Sequence, residues 1–76
     1  MNTIIAKVIN VVPGLNSIGE PYVIFEVLYG KRKLSCVAYE KAEKIIIGKK
    51  LALRGHLCCS SYNIFFACEE VQPIAA

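Results

Sequence analysis

Five apolar runs of strand length, each bounded by turn residues, make up most of this 76-residue chain. The runs are rich in valine, isoleucine, tyrosine and phenylalanine, which favour extended strands. A chain this short can build only one small core, so we expect residues 1–76 to form a single all-β domain. The predicted strands are Thr3–Val12, Tyr22–Tyr29, Lys33–Tyr39, Lys50–Leu57 and Ile64–Val71.

One segment, Glu40–Ile47, departs from this pattern and predicts a short helix. Ala42, Ile45 and Ile46 recur at helical spacing and predict its buried face. Gly48 follows at the position where glycine commonly ends a helix. The predicted order is therefore three strands, one short helix and two strands, which is typical of the OB-fold, a five-stranded Greek-key barrel.

Glycine and proline positions refine this expectation. Pro13–Gly14 predicts the end of the first strand, and Gly30–Lys31–Arg32 predicts a tight hairpin between the second and third. Gly55, inside the fourth strand, indicates a bulge or a sharp bend of the kind that small barrels need.

The four cysteines do not have the spacing of a metal site. Cys36, Cys58, Cys59 and Cys68 include no C-x-x-C pair, and His56 is the single histidine. Adjacent Cys58 and Cys59 point to opposite faces of a strand. We therefore expect reduced, partly buried thiols and neither a metal nor another cofactor.

Composition bounds the location and the partners of the protein. The net charge of +3 permits an anionic partner without demanding one. The N-terminus lacks the basic region of a signal peptide, and no run reaches the roughly 20 apolar residues of a membrane span, so we expect a cytoplasmic protein without a membrane partner. Apolar residues make up 55% of the chain, more than so small a domain can bury. We expect a homodimer or homotetramer, with Thr3–Val12 as the candidate interface through edge pairing.

Catalytic arrangements are not apparent. The sequence has one histidine, no glycine-rich phosphate loop and no nucleophile motif. We therefore do not expect an enzyme.

Four segments resemble, in order, the bacterial single-stranded DNA-binding protein family. They match its N-terminal strand and proline turn, its Ser-Gly-Lys-Pro loop, its Cys-Val-Ala-aromatic strand end with a Lys-Ala-Glu helix, and its Glu-Val-Gln ending. The segments are MNTIIAKVINVVPGL, SIGEPYVIFEV, LSCVAYEKAEKIIIGKKLALRGHL and SSYNIFFACEEVQPI. The loops are shorter than is usual in that family, and tryptophan is absent. Because of these departures we expect a minimal OB-fold version, and the recruitment of partners by the family's acidic tail is not carried over.

The resemblance also implies where bases would stack. Tyr39 matches the family's stacking aromatic at the end of the third strand, and Tyr62 matches an aromatic of the loop between strands four and five. Sequence-tolerant binding uses such aromatic faces together with cations that follow the phosphates. The alternatives are that Tyr39 anchors the helix to the barrel and that Tyr62 is an ordinary turn residue.

Strand alternation adds further candidates. Tyr22 faces outward if Phe25 is buried, and Tyr39 shares a face with Lys33. Alternation leaves open which of Phe65 and Phe66 is exposed, whereas Tyr29 is more typical of core or hairpin packing.

Two basic clusters are candidate phosphate contacts. They comprise Lys31, Arg32 and Lys33 at the hairpin, and Lys49, Lys50 and Arg54 around the start of the fourth strand. Lys7 and His56 rank below them. The alternative is that these are solvated lysines that blunt the edges of the sheet.

Three functions fit these features. The leading hypothesis is non-sequence-specific binding of single-stranded DNA in replication, recombination or transfer. The alternative is an OB-fold adaptor between proteins, a primosome or accessory subunit with little affinity for nucleic acid, which the missing tryptophan and modest charge favour. A cold-shock-like RNA-binding barrel would need closely alternating aromatics, of which Tyr22–Tyr29 offers few.

Overall fold

The structure is a computed structural model that describes residues 1–15, 18–40, 42–59, 61 and 63–74. Its strands close into a barrel in the order β1-β2-β3-β5-β4. All strand pairs are antiparallel except β3 with β5, which is parallel. The barrel confirms the fold predicted from the sequence. The strands are β1 (Asn2–Leu15), β2 (Pro21–Tyr29), β3 (Arg32–Ala38), β4 (Lys50–Cys59) and β5 (Ile64–Pro73).

The segment between β3 and β4 is where the sequence prediction fails in detail. It forms a single 3-10 turn, Ala42–Lys44, in place of the predicted helix over Glu40–Ile47. So short a segment gains too few hydrogen bonds to offset the cost of helix nucleation. Ile45 is 5% exposed and packs in the core, as predicted, whereas Ile46 is 52% exposed, so its predicted burial is wrong.

Strand β1 is longer than predicted, because it pairs with two strands in succession. Asn2–Lys7 pair with β4, and from Lys7 onward the strand pairs with β2 as far as Leu15. A register shift between Val8 and Asn10 accompanies the change of partner. The predicted end at Val12 is therefore wrong, and Gly14 lies within the strand, opposite Tyr22.

Apolar side chains from every strand fill the barrel. Phe25 and Phe66 are the largest, at 1% and 2% exposed, and the described core contains no buried polar side chain. The β4–β5 register shifts between Arg54 and Gly55, which confirms the irregularity predicted at Gly55. A Cβ at Gly55 would overlap the carbonyl oxygen of Ala67, so the close approach of β5 favours glycine here. Glu69 and Glu70 are both exposed.

All four cysteines are free thiols. Cys36 and Cys68 are buried, and a side-chain hydrogen bond with Cys68, together with burial, raises the pKa of the Cys36 thiol well above its ordinary range. Among the described residues, no group of three or more His, Cys, Asp or Glu side chains could hold a metal ion. Within the same ranges, no helix has the length and apolar character that crossing a membrane requires.

Candidate functional site

The outer surface of β2, β3 and β5 carries a concave apolar patch. Its cavity has a volume of about 530 Å³, and Ser35, Cys36 and Asn63 complete its lining. The described lining contains no carboxylate, imidazole or cationic group, so it offers ring surfaces and hydrogen bonds rather than acid–base chemistry. We call this surface the aromatic face and define it by Tyr22, Ile24, Val37, Tyr39 and Phe65.

Strand alternation in β2 positions the first ring. Val23, Phe25 and Val27 point into the barrel, which leaves Tyr22 on the outside, as predicted. Ile24 lies on the same outer side. The Tyr22 ring is half-buried because it lies against the backbone of Gly14 on β1. A Cβ at Gly14 would be only 2.9 Å from Cζ of Tyr22.

Tyr39 follows the last residue of β3 and stands beside Tyr22. The two ring centroids are 6.3 Å apart, and the rings are inclined at 46°, within the range of favourable aromatic pairs. Tyr39 is 60% exposed, more than a ring packed between a helix and the barrel would be. The structure therefore brings the predicted residues Tyr22 and Tyr39 together on one open surface.

Phe65 supplies a third ring. It is half-buried on the outer surface of β5, opposite Ser35 of β3 and Cys58 of β4, whereas its neighbour Phe66 is in the core. This resolves the choice between Phe65 and Phe66 that the sequence left open. The predicted loop residue Tyr62 lies outside the described residues, although its neighbour Asn63 lines the aromatic face.

The hairpin cations lie away from the tyrosine pair. Lys31, Arg32 and Lys33 are exposed at the turn between β2 and β3, at the opposite end of these strands from Tyr22 and Tyr39. Lys33 is on the outer surface, two residues from Ser35. Of the three, it is the residue whose strand position continues the aromatic face.

The second predicted cluster is not on the aromatic face. Lys49 lines a separate cavity with Lys44, Lys50 and Glu43, next to the 3-10 turn. Arg54 is on β4, where its Nη1 lies 3.8 Å from Oε2 of Glu70. Both of these side chains are 53% exposed, so the ion pair contributes little to stability.

The tyrosine end of the aromatic face is flanked by acids. Glu40 and Glu69 line a small cavity together with Tyr39 and Cys68. His56 is exposed, and its Nε2 lies 3.8 Å from Oε1 of Glu69, a pair that is ionic only when the imidazole is protonated. Glu40 and Glu69 therefore repel the charge of an anionic ligand at the Tyr39 end of the aromatic face.

Sequence reasoning missed two contributors to this region. Gly14 admits the Tyr22 ring, and a glycine inside a strand is a known signal of such a close approach. Ile24 adds an exposed aliphatic surface between the rings, at 44% exposed. Strand alternation alone could have placed it there.

Comparisons with known proteins do not assign the chain to a family. No protein-family model matches it, and no curated protein is significantly similar to it. The function has to be inferred from the aromatic face and its surroundings.

Proposed function

We propose that the protein binds single-stranded DNA without sequence specificity, with bases stacked on the aromatic face. The observation that carries this proposal is the open pair of rings, Tyr22 and Tyr39, on the β2–β3 surface. In OB-folds, this surface and the adjoining loops are where oligonucleotides bind. Stacking on an aromatic ring contributes about 1–3 kcal/mol per base for every base type, so a few rings suffice for sequence-tolerant binding.

The resemblance to bacterial single-stranded DNA-binding proteins supports the same proposal. It covers the strand end at Tyr39 and extends over the whole barrel. It favours a role in DNA replication, recombination or transfer, carried out in the cytoplasm and without catalysis.

We also propose that the protein is a homodimer or homotetramer. Val12 and Leu15, at the end of β1 beyond Lys7, are more than half exposed, at 54% and 67%. Exposed aliphatic groups along one strand favour self-association. A solution mass of two or four times 8.4 kDa would support this proposal, and a mass of 8.4 kDa would contradict it.

A second candidate is an adaptor that binds another protein through the same face. Ile24 and Val12 are directly opposed and exposed beside the tyrosines, and Glu40 and Glu69 border Tyr39. An apolar patch with an acidic rim suits a basic protein surface better than it suits phosphates.

Fluorescence anisotropy of a labelled oligo-dT of about 30 nucleotides separates the two functions, with duplex DNA of the same length as a control. We expect binding of the single strand alone. Tyr39→Ala should weaken it about 5- to 150-fold, the equivalent of one lost stack.

Tyr29→Ala is the matched control variant. Tyr29 is 50% exposed and lies at the far end of β2, outside the aromatic face, so its loss should leave the affinity nearly unchanged. Thermal melts of both variants show whether the barrel stays folded. No binding at micromolar protein, or equal binding of duplex DNA, would contradict the proposal and favour the adaptor.

A further inference from the structure

Strand pairing places three lysines in one row across the outside of the barrel. Lys50 of β4 is directly opposite Lys7 of β1, and Lys7 is opposite Leu28 of β2. Leu28 is in turn opposite Lys33 of β3. Directly opposed residues share a face, and all four side chains are exposed. We call these four residues the lysine row. With strands about 4.8 Å apart, it spans about 14 Å at right angles to the strands.

The row continues into further cations at both ends. At Lys50 it meets the cavity lined by Lys44 and Lys49, and at Lys33 it adjoins Lys31 of the turn. Arg32 begins β3 beside Lys33, and strand alternation directs it to the other face. Six of the nine lysines and arginines therefore lie in or next to the row, the others being Arg32, Arg54 and Lys41, which lies outside the described residues. Two acidic residues lie near these cations. Glu43 lines the same cavity as Lys44 and Lys49, and Glu26 is half-buried in the adjacent row, between Asn10 and Ser35.

Protection of a sheet edge does not explain this arrangement. Lys7 is paired on both sides, with β4 and with β2, so it does not blunt an edge. Like charges directly opposite each other, such as Lys7 and Lys50, destabilise a sheet. Within the described part of the chain, no lysine of the row forms an ion pair, since the two ion pairs present involve Arg54 and His56. Among the described residues, no ion pair therefore offsets the repulsion between Lys7 and Lys50.

We propose that the lysine row is the path of the phosphate backbone of a bound single strand. This inference rests on the proposed function and adds to it the route of the strand. Phe65 connects the two surfaces, because it lies opposite Ser35, which is two residues, or about 7 Å, from Lys33 along β3. Bases stack on the aromatic face, while the phosphates that continue beyond Phe65 cross β3, β2, β1 and β4 over the lysines. The row also supplies the positive charge that the acidic Tyr39 end lacks.

The salt dependence of oligo-dT binding tests this route. Each phosphate contact to a single strand contributes about 0.7 to the slope of log K against log salt concentration. We expect Lys7→Gln and Lys33→Gln each to reduce the slope by about 0.7, and the double variant to reduce it by about 1.4.

Thr3→Glu is the matched control for Lys7→Gln. Both variants lower the net charge of +3 by one, and both positions are exposed on the same face of β1. Thr3 is opposite Arg54 and about 13 Å from Lys7, beyond the screening length of about 10 Å at 0.1 M salt. Its slope should equal that of the wild type. Thermal melts should show Lys7→Gln at least as stable as wild type, because it removes the repulsion with Lys50.

Failure of the proposed phosphate path and failure of the proposed function give different results. If the wild type binds oligo-dT but Lys7→Gln and Thr3→Glu have the same slope, the lysine row is overturned and the proposed function stands. If the wild type does not bind at all, both are overturned. Tyr39→Ala should weaken binding at every salt concentration without changing the slope, because a stacked ring releases no counterions.

Discussion

At the scale of single residues, the aromatic face depends on the absence of a side chain at Gly14. Gly14 leaves room for the end of the Tyr22 ring beside β1, where a Cβ would be 2.9 Å from Cζ and 3.0 Å from the hydroxyl oxygen. These atoms are the far end of a side chain rather than backbone, so the ring can move while the strands stay in place. Gly14 thus controls the position of a ring that it does not itself carry.

Gly14→Ala should therefore weaken oligo-dT binding by displacing Tyr22. The loss should approach that of Tyr22→Ala, about 5- to 150-fold for one stacked base, while the thermal midpoint changes little. Anisotropy titrations of the two single variants and the double variant form a double-mutant cycle.

In the Tyr22→Ala background, Gly14→Ala should have no further effect, because no ring remains to be displaced. Additive losses of affinity would show instead that Gly14 acts on binding independently of Tyr22.

At the scale of elements, the 3-10 turn and the residues that follow it contact the core through Ile45, with Ala42 partly buried against the same core. Ile45 is 5% exposed within the core, whereas Ile46, the next residue, is 52% exposed. Backbone hydrogen bonds hold this segment: the Ile45 N–H donates to the Ala42 carbonyl oxygen, and the Gly48 N–H donates to that of Val8. The turn thus positions one isoleucine inward and presents the other to solvent.

Ile45→Ala and Ile46→Ala are a matched pair that tests this role. Ile45→Ala should lower the free energy of unfolding by about 2–4 kcal/mol, because it removes buried methyl groups and leaves a cavity. Ile46→Ala should change it by less than about 0.5 kcal/mol. Urea denaturation measures both. Equal losses would mean that both isoleucines are buried, as the predicted helix required.

A comparison of β2 with the segment between β3 and β4 shows which elements a sequence can predict. The inward residues of β2, Val23, Phe25 and Val27, alternate strictly, so the strand and its buried face follow from the pattern alone. Between β3 and β4 the apolar residues have helical spacing, but the segment is too short for its hydrogen bonds to offset the free-energy cost of helix nucleation. It therefore forms a 3-10 turn in place of a helix.

Bulges limit prediction in another way. The inward residues of β5 are Phe66, Cys68 and Val71, because the register shift near Glu69 changes the phase of alternation. With aromatic residues at both 65 and 66, no period-two pattern could identify which one faces the core. The exposure of Phe65 depends on pairing with β3 and β4, which lies outside the local sequence.

At the scale of the whole molecule, the candidate site is assembled by topology. Tyr22 and Tyr39 could each be predicted from local alternation, but their proximity depends on the pairing of β2 with β3. The lysine row joins residues that are far apart in the sequence, from Lys7 to Lys50, through three successive strand pairs. Lys7 looks unremarkable in its own strand, and only register reveals its neighbours.

The stability of the whole barrel should also depend on alkaline pH through its buried thiols. The hydrogen bond with Cys68, followed by burial, raises the pKa of Cys36 in the folded protein far above its ordinary value of 9.0. Below pH 9 this thiol is protonated in both the folded and the unfolded chain, so it adds no pH dependence. Above pH 9 the unfolded chain loses the proton while the folded barrel retains it, so stability falls as pH rises.

We expect the loss of the Cys36 proton from the unfolded chain to lower the free energy of unfolding by about 1.4 kcal/mol per pH unit above pH 9. Urea denaturation of the wild type and of Cys36→Ala at pH 8, 9 and 10 isolates the contribution of this thiol, because the two proteins differ only at residue 36. The difference in stability between the two should be constant up to pH 9 and then shrink. Cys59→Ala is the control, since Cys59 is exposed and its difference from wild type should stay constant. A constant difference for Cys36→Ala as well would mean that the Cys36 thiol ionises as readily in the barrel as in the unfolded chain.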